Sequence, residues 1–112
     1  MSISATSVGT SLATKVSLTE DTLTAELNDG RTISVPLAWY PRLLDGTSDE
    51  RNNLQLIGNG EGIHWPDLDE DVSVENLLMG RPSGESAASF QRWLDARRKG
   101  KDVTLDKLRP GR

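Results

Sequence analysis

The sequence has no cysteine, a single histidine and few aromatic residues: three Trp, one Tyr and one Phe. Without cysteine, neither a disulfide framework nor a thiolate metal site can form. One histidine cannot supply the usual histidine-based zinc site. No serine, cysteine or lysine stands in a context that marks it as an activated nucleophile. No apolar run approaches the length of a membrane span. The N-terminus lacks the basic and apolar regions of a signal peptide, so the expected location is the cytoplasm. Apolar residues make up only 35% of the 112-residue chain, enough for one domain with a modest core.

Positive charge is scarce over most of the length. Residues 1–80 carry 4 Lys/Arg against 13 Asp/Glu, whereas residues 81–112 carry 9 against 4. An acidic body repels nucleic acid, while a basic tail attracts it. Like-charged blocks generally find a counter-charge, so the simplest expectation is that the two halves fold onto each other, within one chain or between two.

Alternation of apolar and polar residues organises the first third. Val16 and Leu18, then Leu23, Ala25 and Leu27, then Ile33, Val35 and Leu37 recur at a spacing of two, which reads as half-buried antiparallel strands. Glu20-Asp21 and Asn28-Asp29-Gly30 supply the turns. Pro36 ends the third strand because it has no ladder donor. Pro41 fits the first turn of a short helix. Thr47 to Glu50 has the form of a capping box. Leu54–Ile57 and Gly62–Trp65 flank Gly58-Asn59-Gly60-Glu61 and read as a hairpin. Ser73 caps a helix that Gly80 ends. A last helix over 84–99 is expected, with Ser83 as its cap and Gly100 beyond it. Ala87, Phe90, Trp93 and Leu94 form its apolar stripe.

The expected fold is therefore α+β: a small antiparallel sheet, meander plus hairpin, with short helices and a longer C-terminal helix. Residues 1–12 and 100–112 are expected to be loosely held ends around a single domain of 13–99.

Candidate chemistry gathers in Gly62 to Val74. Asp67, Asp69, Glu70 and Asp71 suggest a calcium site, but Val72 stands where an EF-hand needs glycine and Leu78 where it needs glutamate. The plainer reading is that some of these acids serve the start of the next helix. His64 with Asp67 or Asp69 would make an oriented base for a small hydrolase, the least favoured reading. Gly58, Gly60 and Gly62 give G-x-G-x-G, but without the following helix of a dinucleotide site. No cofactor is expected. Trp39, Tyr40 and Trp65 are either core or partner anchors, and Arg42 lies beside the first two. A DNA-binding alternative rests on Arg92, Arg97, Arg98 and Lys99, but these sit at the wrong end of the helix to read bases and suit phosphate contact better.

Residues 29–31, 35–43, 50–51, 62–74, 80–86 and 92–94 carry a family resemblance. In Asp29-Gly30-Arg31, Val35-Pro36-Leu37-Ala38-Trp39-Tyr40-Pro41-Arg42-Leu43 and the run from Gly62 to Val74, the chain resembles the bacterial domain-of-unknown-function family DUF2442. The resemblance implies a small α+β protein with no agreed catalytic residues. Some members are similar to antitoxins encoded beside a small toxin-like protein. The leading reading is thus a non-enzymatic module that offers an acidic, aromatic-rimmed face to a basic protein, such as a small toxin. Trp39, Tyr40, Arg42, His64, Trp65, Asp67, Asp69, Glu70 and Asp71 are its candidate contacts. The stripe on the last helix requires burial on its own domain or on a second copy, the latter giving a homodimer.

With no thiolate and a broken calcium pattern, stability should not depend on metal. Thermal unfolding curves with and without a chelator should overlay; a melting shift of several degrees on chelation would show a structural ion.

Overall fold

The structure is a computed structural model, and it describes residues 11–108, with side chains described through residue 100. Two three-stranded antiparallel sheets share one core. The first holds β1 (Ala13–Leu18), β2 (Thr22–Leu27) and β3 (Thr32–Pro36) in the order β1-β2-β3. The second holds β4 (Gln55–Ile57), β5 (Gly62–Trp65) and β6 (Glu70–Ser73) in the order β4-β5-β6. The sequence reading expected the meander and the β4-β5 hairpin but missed β6. The acidic run hides its only strong β-former, Val72, among carboxylates.

In the first sheet the alternation works as expected. Leu23, Ala25, Leu27 and Val35 are buried, while Thr24 and Ser34 pair through their hydroxyls at 2.9 Å on the other face. β1 carries an irregularity between Ala13 and Lys15, which lets Ala13 and Val16 both face inward despite their odd spacing. Both turns use side-chain bonds. The Thr19 hydroxyl accepts from the Asp21 and Thr22 amides, and Gly30 takes φ 94°. The chain is fastened ahead of β1. The Leu12 amide donates to the Asn28 side chain, and the Asn28 amide donates back to the Leu12 carbonyl. Ser11 and Leu12, expected to be loose, are therefore bonded to the second turn, while residues 1–10 lie outside the described part.

After Pro36, a 3-10 turn (Leu37–Trp39) leads to α1 (Pro41–Asp45), with Pro41 at its start. α2 (Ser48–Asn52) has the full capping box, Thr47 and Glu50 each accepting from the other's amide. Helix α3 (Val74–Met79) starts on the Ser73 hydroxyl and stops at Gly80, φ 71°. These are the elements the local sequence signals specify.

The two sheets meet at the Gly58–Gly60 turn. Gly60 has φ 105°, and a Cβ there would lie 2.4 Å from the Ala13 carbonyl oxygen. Trp65, Ile63, Leu68 and Leu77 of the second half then join Leu23, Leu37 and Leu43 of the first in a single cluster. The Trp65 indole N–H donates to the Arg51 carbonyl at 2.9 Å, so the largest core side chain is also polar-satisfied.

Helix α4 (Ala87–Leu108) differs from expectation at both ends. Its first turn is capped by Ser86, whose hydroxyl accepts from the Ser89 amide, whereas Ser83 accepts from Glu85 in the preceding segment. Gly100 does not end it. The helix passes through, because Gly100 does not take the left-handed conformation that would stop it. Residues 101–108, expected as part of a loose tail, are helical, and residues 109–112 lie outside the described part.

The glycines separate these roles. Gly60→Ala should lower stability by about 2–3 kcal/mol through strain at positive φ and collision with β1. Gly100→Ala should raise helicity and stabilise by up to about 1 kcal/mol, since among the described residues nothing beyond the helix's own backbone lies within 4 Å of the place its methyl group would take. Circular dichroism and denaturant unfolding of both variants test this. A destabilised Gly100→Ala would mean that the helix ends at Gly100 after all.

Candidate functional site

The sites expected along Gly62 to Val74 do not form one surface. Trp65 is fully buried, as is Leu68 inside the acidic run, and Tyr40 is 3% exposed. These side chains are core, so Trp65 and the Tyr40 ring are not the exposed anchors that the sequence reading offered. Burying Leu68 forces a turn through Asp67–Asp69, in which Asp69 takes φ 50°. The four acids therefore point to different tasks. Asp67 accepts from the Asn53 side chain at 2.9 Å. Asp71 meets the His64 ring across the β5-β6 ladder, Nδ1 to Oδ1 2.5 Å. Asp69 is exposed beside Arg42, and Glu70 is half-buried. The amide that α3 needs satisfied is met by Ser73 instead. His64 thus has Asp71 as partner, not Asp67 or Asp69 as the base reading required.

Arg42 is the best-held cation. Its Nε lies 3.0 Å from both Glu85 carboxylate oxygens, Nη2 lies 2.6 Å from one, and Nη1 donates to the Asp69 carbonyl at 3.0 Å. Glu85 is held in turn: its amide donates to the Ser83 hydroxyl, and Ser89 donates to its carboxylate. The Ser83 amide reaches the Trp39 carbonyl at 3.0 Å, so the segment after α3 is stitched across the domain. Trp39 itself is half-buried against the core. Such a bidentate, nearly enclosed pair fixes orientation, and it removes Arg42 from the residues free to bind a partner.

A second pair fastens α4. Arg97 donates to both oxygens of Glu50 and lies 3.4 Å from Asp45. The guanidinium carbons of Arg42 and Arg97 each stand 5.1 Å from the centre of the Trp93 ring, and Phe90 stacks on the same indole at 5.8 Å. Trp93 packs on the core of its own domain. The stripe thus has an intramolecular use, and opposite charges of the two halves do meet within the chain. For the nucleic-acid alternative, Arg97 is spent, leaving Arg92, Arg98 and Lys99 exposed.

Between β6 and the 81–85 segment lies a groove of about 410 Å³. Asp69, Glu70, Asp71 and Glu85 line it, against Arg42 and Arg81. Burial pushes the Glu70 carboxyl above its ordinary range; Arg42 opposes that and Glu85 adds to it. Tyr40 also lines the groove, and its hydroxyl is buried without a hydrogen-bond partner among the described residues. Burial, then the nearby Glu70 charge, raise the phenol pKa. Of these residues the sequence reading named Tyr40, Arg42, Asp69, Glu70 and Asp71, and it missed Arg81, Ser83 and Glu85. Residues 80–86 carried a family signal, but Arg81-Pro82-Ser83-Gly84 reads as a linker until Arg42 is seen to capture Glu85. Among the described residues no group of three acids or histidines is placed to hold a metal, and no helix is long and apolar enough to cross a membrane.

Residues 13–83 match the DUF2442 family, described as a protein family of unknown function. The chain belongs to this family. The match spans both sheets and α1 to α3 and stops before α4. No functionally curated protein matches the chain. A crystal structure of a protein of unknown function from Rhodospirillum rubrum is 25% identical, with a TM-score of 0.58 over 67% of this chain and 93% of that one. A solution structure of an uncharacterised protein from Chromobacterium violaceum is 22% identical, with a TM-score of 0.59 over 77% of this chain and 79% of that one. These likenesses support the α+β fold. DUF2442 membership identifies no catalytic class.

The Arg97 pairing gives stability a defined acid limit. The Arg97 guanidinium beside Glu50 holds its carboxyl down at about 2, against an ordinary value of 4.5. A depressed folded pKa means stability that is fully present above about pH 4.5 and lost as pH falls towards 2. Asp29, held at about 2 chiefly by Arg31, adds a loss of the same sign. Melting temperatures of wild type and Arg97→Gln, followed from pH 6 to pH 2.5, should converge as the pH falls. A constant gap between the two curves would show that Arg97 acts by packing on Trp93 alone.

Proposed function

We propose that this chain is a non-enzymatic protein-binding module, working in the cytoplasm, whose acidic groove face receives a basic partner protein. The observation that carries the reading is the groove lining: once the Arg42–Glu85 pair is set aside, three carboxylates, Asp69, Glu70 and Asp71, stand against one guanidinium group, Arg81. Complementary charge speeds encounter and disfavours acidic competitors. Exposed Asp69 and Asp71 are the steering groups, and half-buried Trp39, whose carbonyl accepts from the Ser83 amide, is an apolar contact beside them. A small toxin acting on RNA is one partner of suitable chemistry. Its surface must be basic because phosphates dominate such binding, and an acidic face covers that surface. The finer, antitoxin-like reading follows from what the family resemblance implies, that some members are similar to antitoxins.

The experiment is retention of host proteins on the immobilised full-length chain at low salt, with the bound material identified. A basic protein should be retained by wild type, released as salt rises, and bound at least several-fold more slowly by the double variant Asp69→Asn, Asp71→Asn. Retention of nucleic acid instead, or a partner whose association rate ignores the charge change, would overturn the reading.

A further inference from the structure

Among the described residues, the groove contains one group without a hydrogen-bond partner and one carboxylate whose only close hydrogen bond is from the Asp71 backbone. One is the Tyr40 hydroxyl, sealed from solvent with no hydrogen-bond partner among the described residues. A buried polar group left unpaired costs about 1–3 kcal/mol, so native chains rarely retain one without use. The other is the Glu70 carboxylate. It is half-buried on β6, and no ion pair within 4 Å reaches it among the described residues, because Arg42 is committed to Glu85 and the Asp69 carbonyl. Tyr40 and Glu70 are close enough to act on each other electrostatically, and both line the same groove.

We propose that this groove is a socket for one cationic side chain, a lysine or arginine, presented by the partner protein. The inference rests on the protein-binding reading above and adds which part of the partner enters. An ammonium or guanidinium group donates hydrogen bonds and accepts none, which suits the free lone pairs of the Glu70 carboxylate and of the Tyr40 phenol oxygen. It would neutralise Glu70 in a place already screened from water, where a charge-assisted bond is stronger than at an open surface. An anion fits badly, since carboxylates outnumber cations in the lining. A metal ion fits badly too, because no three ligating side chains converge among the described residues. The volume, about 410 Å³, falls near the small end of the roughly 300–1,000 Å³ typical of small-ligand clefts, suited to a side chain and not to a folded element.

The test is an amide-resolved NMR titration of the full chain with capped lysine amide and capped arginine amide at matched ionic strength. The neutral control is the same lysine probe acetylated at its side-chain nitrogen. Charged probes should shift the amides of residues 69–73 and 81–85 saturably, and the neutral probe should not. Glu70→Gln should weaken the dissociation constant tenfold or more and Tyr40→Phe several-fold, while Asp49→Asn on α2, away from the groove, leaves it unchanged. Glu70→Gln keeps an oxygen that can accept from the Asp71 backbone, Tyr40→Phe removes no hydrogen bond among the described residues, and well-dispersed spectra would confirm that both remain folded. Equal shifts with the neutral probe, unsaturable shifts scattered over the acidic surface, or a Glu70→Gln constant within twofold of wild type would each overturn the socket. A basic partner that binds Glu70→Gln as tightly as wild type but is lost from Asp69→Asn, Asp71→Asn overturns the socket and leaves the protein-binding reading intact. Retention of no basic protein overturns both.

Discussion

Everything C-terminal to α3 depends on one indole. Trp93 lies on the core with Arg42 and Arg97 against its ring, and each guanidinium is neutralised by a carboxylate from elsewhere in the chain. Cation-π contact is worth about 0.5–1 kcal/mol when exposed and about 2 kcal/mol or more when desolvated. Surface ion pairs alone contribute about 0–1 kcal/mol. Neither interaction by itself would hold a 22-residue helix with a weak apolar stripe. Together they make the docking specific: the indole fixes where α4 sits, and the paired acids fix which arginines can stand beside it.

That docking also forms the groove. Arg42 draws Glu85 across the domain, and Ser83 bonds to Trp39 on the way, so the segment after Gly80 becomes a wall facing β6. The same pairing keeps Arg42 out of ion-pair distance of half-buried Glu70, on which it acts only through space. A structural ion pair on one side therefore leaves an unmatched acid on the other. In the proposed reading the face stays acidic because Arg42 is paired with Glu85.

The meander was legible because its signals are local. Alternation of Leu23, Ala25 and Leu27, positive φ at Gly30, and the Thr47/Glu50 box each act within a few residues. β6 was not legible, because Glu70 and Asp71 are poor strand formers. Their conformation is imposed by the β5 ladder and by burial of Leu68 and Val72. Trp65 had two readings from the sequence, core or anchor, and nothing local separates them. Its position is decided by the Arg51 carbonyl, fourteen residues away, which accepts its N–H. Gly100 misled for the opposite reason: a glycine after basic residues is a common helix stop, but the stop requires a left-handed turn that the chain does not take here.

The sequence by itself determined the α+β class, the turns and caps, the exclusion of cysteine chemistry, and the opposition of an acidic body to a basic C-terminal part. These follow from residue type and short spacing. Only the tertiary structure decided how those charges are distributed: Arg42 to Glu85, Arg97 to Glu50, Asp71 to His64, and Glu70 to none within ion-pair distance among the described residues. Arg42 and Glu85 stand 43 residues apart and Arg97 and Glu50 stand 47 apart, so no periodicity connects them. The pairing is fixed by which surfaces the core brings together, and with it the identity of the half-buried acid left for a partner.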